Sequence, residues 1–149
     1  MDKLSKIAAL YISTLRAIGI IHQNNHWLSK GTNFYGSHLL FERIYKSSVE
    51  DLDLAAEKFV GLFGPDCLDY KLQADLLSKV ISKYNELSSK PFEQSLAIEK
   101  EFLKLSQDAY NSFKSEGGKL SLGLDDLIMS ISSSREESVY LLQQSLNDI

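Results

Sequence analysis

The chain has 149 residues, 44% of them hydrophobic and 24% charged, with 20 acidic against 16 basic groups. That is enough material for one domain over 1–149 with a real core, and a net charge of −4 shows no basic excess that would advertise nucleic acid as a partner. A lone cysteine (Cys67), two prolines and eight glycines exclude a disulfide-stapled module, a collagenous chain and a low-complexity linker.

Helical periodicity begins at once. Apolar residues recur at Leu4, Ile7, Ala8, Tyr11, Ile12, Leu15 and Ile18, and the stripe continues through His22, Asn25 and His26 to a stop near Gly31. The purest apolar stretch, 7–21, is interrupted by Ser13, Thr14 and Arg16 and reads as too short to span a membrane. The start has no cleavable leader pattern, so a soluble, cytoplasmic protein is the expectation. A second helix runs from Phe34 to Phe63 along Phe34, His38, Phe41, Tyr45, Val49, Leu52, Ala56, Phe59 and Phe63, closed by Gly64-Pro65. A third is predicted over about 69–87. Pro91, after Ser88-Ser89-Lys90, starts a fourth that reaches about Lys114. Gly117-Gly118 interrupt the chain, and a last helix starts near 121–124 with Asp125 and Asp126 in its first turn, where they complement the helix dipole. Period-two alternation is absent. The predicted architecture is all-α: a bundle of four long helices with one shorter helix in the connection between bundle helices two and three.

The chemistry lies between residues 26 and 57. His38 and Glu42 are four apart, as are Asp53 and Glu57, so each pair shares one face on adjacent turns. Imidazole with carboxylate suits Fe(II), Zn or Mn, and the lack of thiolates argues against a structural zinc site. A carboxylate pair at this spacing is common on any solvated helix, and a single histidine such as His26 is more often a satisfied core residue than a ligand. The relation between the pairs says more. His38 and Asp53 are fifteen residues apart, roughly 22 Å on a straight helix, so the two pairs cannot serve one metal within one chain. If two copies of the helix pack antiparallel about a two-fold axis, facing residue numbers must add to a constant. His38 facing Glu57 and Glu42 facing Asp53 give the same sum, with the axis between Ser47 and Ser48. Small residues there are expected to let the helices approach closely. The spacing thus predicts an isologous dimer with two intersubunit metal sites. The single-chain di-iron bundle needs Glu-x-x-His on facing helices, and no histidine here has Glu three positions before it.

This window, His26-Trp27-Leu28-Ser29-Lys30-Gly31-Thr32-Asn33-Phe34, then His38, Glu42 and Asp53-Leu54-Ala55-Ala56-Glu57, resembles the Dps family of miniferritins. The shared pattern is His-Trp, a glycine, an aromatic, a second His twelve after the first, an acidic residue four on, and Asp-x-x-x-Glu. The resemblance implies a ferritin-like subunit assembled from two-fold dimers into a hollow dodecamer. It implies di-iron ferroxidase centres at those two-folds, where Fe(II) is oxidised with hydrogen peroxide and stored as ferric mineral against oxidative stress. In such a centre His26, His38 and Glu42 come from one subunit and Asp53 and Glu57 from its neighbour, with Glu57 bridging. Glu42 departs from the family, which usually has Asp there. Trp27 matches the tryptophan beside the centre, a sink for oxidising equivalents or simply an anchor for the end of the first helix. His22, one turn before His26, reads as a core or supporting histidine. In the family, acidic residues early in the last helix line three-fold pores, for which Asp125 and Asp126 are candidates alongside their role at the helix dipole. DNA compaction, the family's other activity, is not expected: only Lys3 and Lys6 precede the first helix, 146–149 hold no basic residue, and an acidic assembly is repelled by phosphate. The competing readings are a DNA-coating protein and a metal-binding cage, filled for example with zinc, that does no redox chemistry.

Overall fold

The structure, a computed structural model, describes residues 2–85, 90–116 and 118–147. Among the described residues five α-helices follow one another: α1 (Lys3–Leu28), α2 (Phe34–Phe63), α3 (Tyr70–Asn85), α4 (Pro91–Ser115) and α5 (Leu122–Leu146), with a 3-10 turn over Pro65–Leu68 between α2 and α3. No strand occurs among the described residues. The predicted end of the third helix at Leu87, the Ser88-Ser89 stretch, Gly117, Asp148-Ile149 and Met1 lie outside the described residues.

The ends are set by local chemistry. Asp2 caps α1 by accepting from the Ser5 N–H at 2.7 Å, and Ser121 caps α5 by accepting from the Leu124 N–H at 3.1 Å. Gly64, at φ +88, ends α2, a conformation that L side chains rarely adopt, and Pro65 then starts the 3-10 turn. Pro91 starts α4 for the same reason that it cannot continue one. Cys67 is buried in the 3-10 turn with its thiol on the Gly64 carbonyl, and burial pushes that thiol up. Asp125 falls in the first turn of α5 and Asp126 just beyond it.

Helices α1, α2, α4 and α5 form the bundle, and α3 lies in the long crossing from α2 to α4, packed chiefly on α1. This is the predicted fold. The expectation for the apolar stretch of α1 needs correcting. It is part of a 26-residue helix that, by length and composition alone, is long enough to cross a membrane. Its apolar face is the centre of the bundle: Ala8, Ala9, Tyr11, Ile12, Leu15, Ala17 and Ile18 are all buried. Small residues on α1 bring neighbours close. A Cβ on Gly19 would meet the Ser48 hydroxyl at 3.1 Å. Tyr11 packs edge-on against Phe59 and Phe102, with ring centroids 5.2 and 4.9 Å away, joining α1, α2 and α4.

A charged set crosses this core, with one ionisable residue from each bundle helix: His22, Asp51, Glu99 and Arg135. Arg135, fully buried, donates from Nε to Glu99 (3.0 Å) and from Nη1 to Asp51 (3.1 Å). Its Nη2 donates to Ser47, Ser138 and the Ile44 carbonyl. The other Glu99 oxygen lies 2.8 Å from His22 Nε2, while His22 Nδ1 is 2.9 Å from the Ser95 hydroxyl, which also accepts from Asn25. Burial holds the His22 imidazole below its usual range, against the pull of Glu99. It raises Asp51, against the pull of Arg135. Because every nitrogen of the Arg135 fork has an acceptor, the charges are tolerable where they sit.

Candidate metal centre

The α1–α2 hairpin turns through residues 29–33, with Gly31 at φ +91, and lays the last turn of α1 beside the first turns of α2. The two histidines then lock each other. His26 Nδ1 is 2.7 Å from the His38 carbonyl oxygen, and His38 Nδ1 is 2.8 Å from the His26 carbonyl oxygen. A carbonyl only accepts, so each Nδ1 carries hydrogen and, in the neutral ring, the lone pair is on Nε2. The rings stack with centroids 3.7 Å apart and planes 17° from parallel. Phe34 stacks on His38 at 5.0 Å, and Tyr45 meets His26 edge-on at 5.5 Å. Backbone acceptors thus fix the tautomer and tilt of both imidazoles, the arrangement that orients histidine towards a metal. His26 is buried and His38 half-buried.

Glu42 lies one turn after His38. Its carboxylate accepts from Lys46 Nζ at 2.5 Å. That hydrogen bond and charge hold the Glu42 carboxyl below the ordinary range, with smaller contributions from His26 and His38. Asp53 and Glu57 sit further along α2, both exposed. Glu57 lines a groove of about 650 Å³ between α2 and α5, together with Lys58, Gly61, Gly123 and Asp126. Among the described residues, no three His, Cys, Asp or Glu side chains of the single chain are grouped to hold a metal ion. The structure therefore brings His26 and His38 into contact, with Glu42 one turn further along α2, and leaves Asp53 and Glu57 apart from them.

The other singled-out residues fall as follows. His22 is in the core set, with its ring nitrogens on Ser95 and Glu99. Trp27 is 64% exposed. Asp126 is exposed, whereas Asp125 turns one carboxylate oxygen into the protein without a hydrogen-bond partner. The serines expected at the two-fold are not on the outer face. Ser48 is fully buried against Gly19 with its hydroxyl on the Tyr45 carbonyl, and Ser47 accepts from Arg135. Lys46, Val49 and Glu50 occupy the outer face there, and Lys46 and Val49 are spaced equally about the predicted axis. Sequence reasoning passed over Lys46, although Glu followed by Lys four residues on is a recognisable helix pair. It also passed over Tyr45 and Phe34 as ring neighbours of the histidines.

No family model matches the chain. A curated relative, DNA protection during starvation protein 2 of Bacillus anthracis, is 24% identical over 131 residues, covering 83% of each chain. Among solved structures, Dps from Thermosynechococcus elongatus superposes with a TM-score of 0.82 at 17% identity, over 99% of this chain and 92% of that one. DpsC from Streptomyces coelicolor gives 0.77 at 18% identity, over 98% and 84%. Dps from Listeria monocytogenes gives 0.70 at 14%, over 98% and 94%. The structures speak for the fold, a ferritin-like bundle, and the curated relative for the sequence. Similarity to Dps proteins thus covers most of a curated relative's length at 24% identity and, in fold, nearly the whole of three solved structures.

Proposed function

We propose that the chain is the subunit of a ferroxidase and iron-storage cage, and that its reactive sites form only where two copies meet. The observation that carries this is the reciprocal histidine lock. It leaves Nε2 as the lone-pair nitrogen of both neutral rings, with Glu42 one turn of α2 beyond His38, while the matching carboxylates Asp53 and Glu57 lie further along the same helix. Antiparallel pairing about an axis between residues 47 and 48 puts each half-set opposite its complement, twice per dimer. Six such dimers give the dodecamer that the resemblance implies.

Fe(II) is substrate and cargo. Carboxylates neutralise its charge and favour the ferric state, and imidazoles add affinity without excess negative charge. Two Fe(II) held together give up one electron each, and one hydrogen peroxide with two protons leaves as two waters. Peroxide then receives both electrons at one site, so hydroxyl radical is not released, and ferric ion is stored as mineral. The relative's name speaks of DNA protection; consuming Fe(II) and peroxide protects DNA without contact, which fits a chain of net charge −4.

The test is native mass together with ferric absorbance after anaerobic Fe(II) loading and peroxide addition. An oligomer is expected, with fast ferric formation that is lost in His38→Ala/Glu57→Ala. A monomer, or equal rates for the wild type and the double variant, overturns the reading.

A further inference from the structure

Lys46 is the one cation bonded to any of the proposed ligands among the described residues, and the proposed chemistry gives it no role. Its Nζ lies 2.5 Å from Glu42 Oε1, and it leaves the outer face of α2 one turn beyond Glu42. The Lys46 side chain is 61% exposed and that of Glu42 31%, so the ammonium reaches inward to the carboxylate from the solvent side. A metal ion needs the same oxygen lone pairs that accept this hydrogen bond, and the two cations exclude each other at short range. In the antiparallel register Glu42 faces Asp53 of a second copy, and His38 faces Glu57. With no metal bound, three carboxylates per site then converge, and Lys46 is the cation bonded to one of them.

We propose that Lys46 is a tethered counter-cation of the metal half-site: it holds Glu42 while the site is empty and is displaced when a divalent cation takes the carboxylate. This rests on Glu42 being a ligand, as argued above. Two effects of opposite sign follow from one substitution. Without metal, Lys46 relieves repulsion between the converging carboxylates and so favours assembly. With metal, it competes for Glu42 and so weakens binding. A lysine that merely supported the helix would move both quantities in the same direction or move neither.

The experiment uses the full chain, with Co(II) added anaerobically as the probe. Binding is followed by the visible absorption of Co(II) and by calorimetry, and metal-free assembly by sedimentation at graded protein concentration. Lys46→Gln keeps a helix-compatible, exposed side chain, so folding is not at stake. The expected result is Co(II) binding tighter by at least about twofold, the scale of an exposed carboxylate–ammonium pair. Metal-free assembly is expected to weaken by a similar factor. Both differences shrink at 1 M salt, where the screening length falls to about 3 Å. Lys46→Arg, which keeps the charge and offers a fork to the carboxylate, is expected to bind Co(II) no tighter than the wild type. Unchanged or weaker Co(II) binding in Lys46→Gln overturns the proposal, as does metal-free assembly that is unchanged or stronger. Glu42→Gln separates the two levels. If it leaves Co(II) binding intact, Glu42 is not a ligand and the reading of the site itself fails. If it abolishes binding while Lys46→Gln changes nothing, only the role of Lys46 falls.

Discussion

Two inactive proteins are expected to make an active one. His38→Ala removes a proposed ligand from one half-set and Glu57→Ala from the other, and these two positions lie about 28 Å apart on one helix. In a dimer of either variant both sites are broken. In a mixed dimer one site carries both lesions and the other carries none. Random pairing of an equal mixture makes about half of the dimers mixed, so about a quarter of all sites are intact, and the mixture should reach about a quarter of wild-type ferric formation. The control is the variant with both substitutions in one chain, mixed equally with wild type. Its mixed dimers have one lesion in each site, so only wild-type pairs contribute. Activity should again be about a quarter of wild type, against about half for wild type mixed with either single variant. Chains are exchanged by co-expression with two tags or by unfolding and refolding together, and the rate is read from ferric absorbance after peroxide addition to anaerobic, Fe(II)-loaded protein. A mixture of the single variants as inactive as each alone would refute the intersubunit site, because a centre completed within one chain cannot be rescued in trans.

Three further outcomes follow from the structure. Burial lowers the His22 pKa in the folded chain, so below about pH 6.5 the unfolded chain binds a proton that the folded chain does not. Stability should therefore fall as pH drops from about 6.5 towards the folded value, by at most about 1.4 kcal/mol per pH unit; thermal melts from pH 7.5 to 5.5 check this, and a slope equal in wild type and His22→Gln would contradict it. Arg135→Met removes the cation that satisfies both Glu99 and Asp51 inside the bundle, and is expected to cost about 3–5 kcal/mol in urea unfolding; a loss below about 1 kcal/mol would mean that the set is not coupled. Trp27 is the sole tryptophan and is 64% exposed in the single chain, next to a proposed ligand. Its emission should shift to shorter wavelength as concentration drives assembly and be quenched by iron, and an emission maximum independent of both would place it away from the interface.

The helices were legible because each buries a stripe, and a stripe of Leu, Ile, Phe and Tyr at helical spacing survives in the order of residues. The two proposed ligand pairs were legible for a related reason: spacing of four on a helix is geometry written in one dimension. The histidine lock was not. Its acceptors are the backbone carbonyls of His26 and His38, which carry no side-chain signature and meet only once the hairpin closes. Nor was the direction of Ser47 and Ser48. Small residues suit either face of a helix, and it took Gly19 on α1 and Arg135 on α5 to claim them for the interior. The core ionic set did leave a trace that could have been read. Arg135 follows Ile128 and Ile131 on the buried face of α5, and Glu99 lies between Leu96 and Phe102 on that of α4. A charge at a core position of one helix calls for an opposite charge at a core position of another.

That ionic set bears on why the proposed chemistry sits at a surface. A four-helix bundle has room for metal ligands between its helices, where facing side chains project inward. Here that space is taken: a guanidinium bonded through all three nitrogens ties α2 to α4 and α5, and through Glu99 and His22 to α1. The same contacts, at Ile44, Ser47 and Asp51, grip the middle of α2 from inside and set its rotation. The outer face is left to Glu42, Lys46, Asp53 and Glu57. A helix of 30 residues is about 45 Å long, enough to hold two separated half-sets but too straight to fold them together. On the proposed reading, symmetry supplies what the helix cannot: a second copy turned end for end brings the far half-set within reach. The interior charge and the external site are then two aspects of one arrangement, and loosening Arg135 should disturb metal binding at a distance as well as stability.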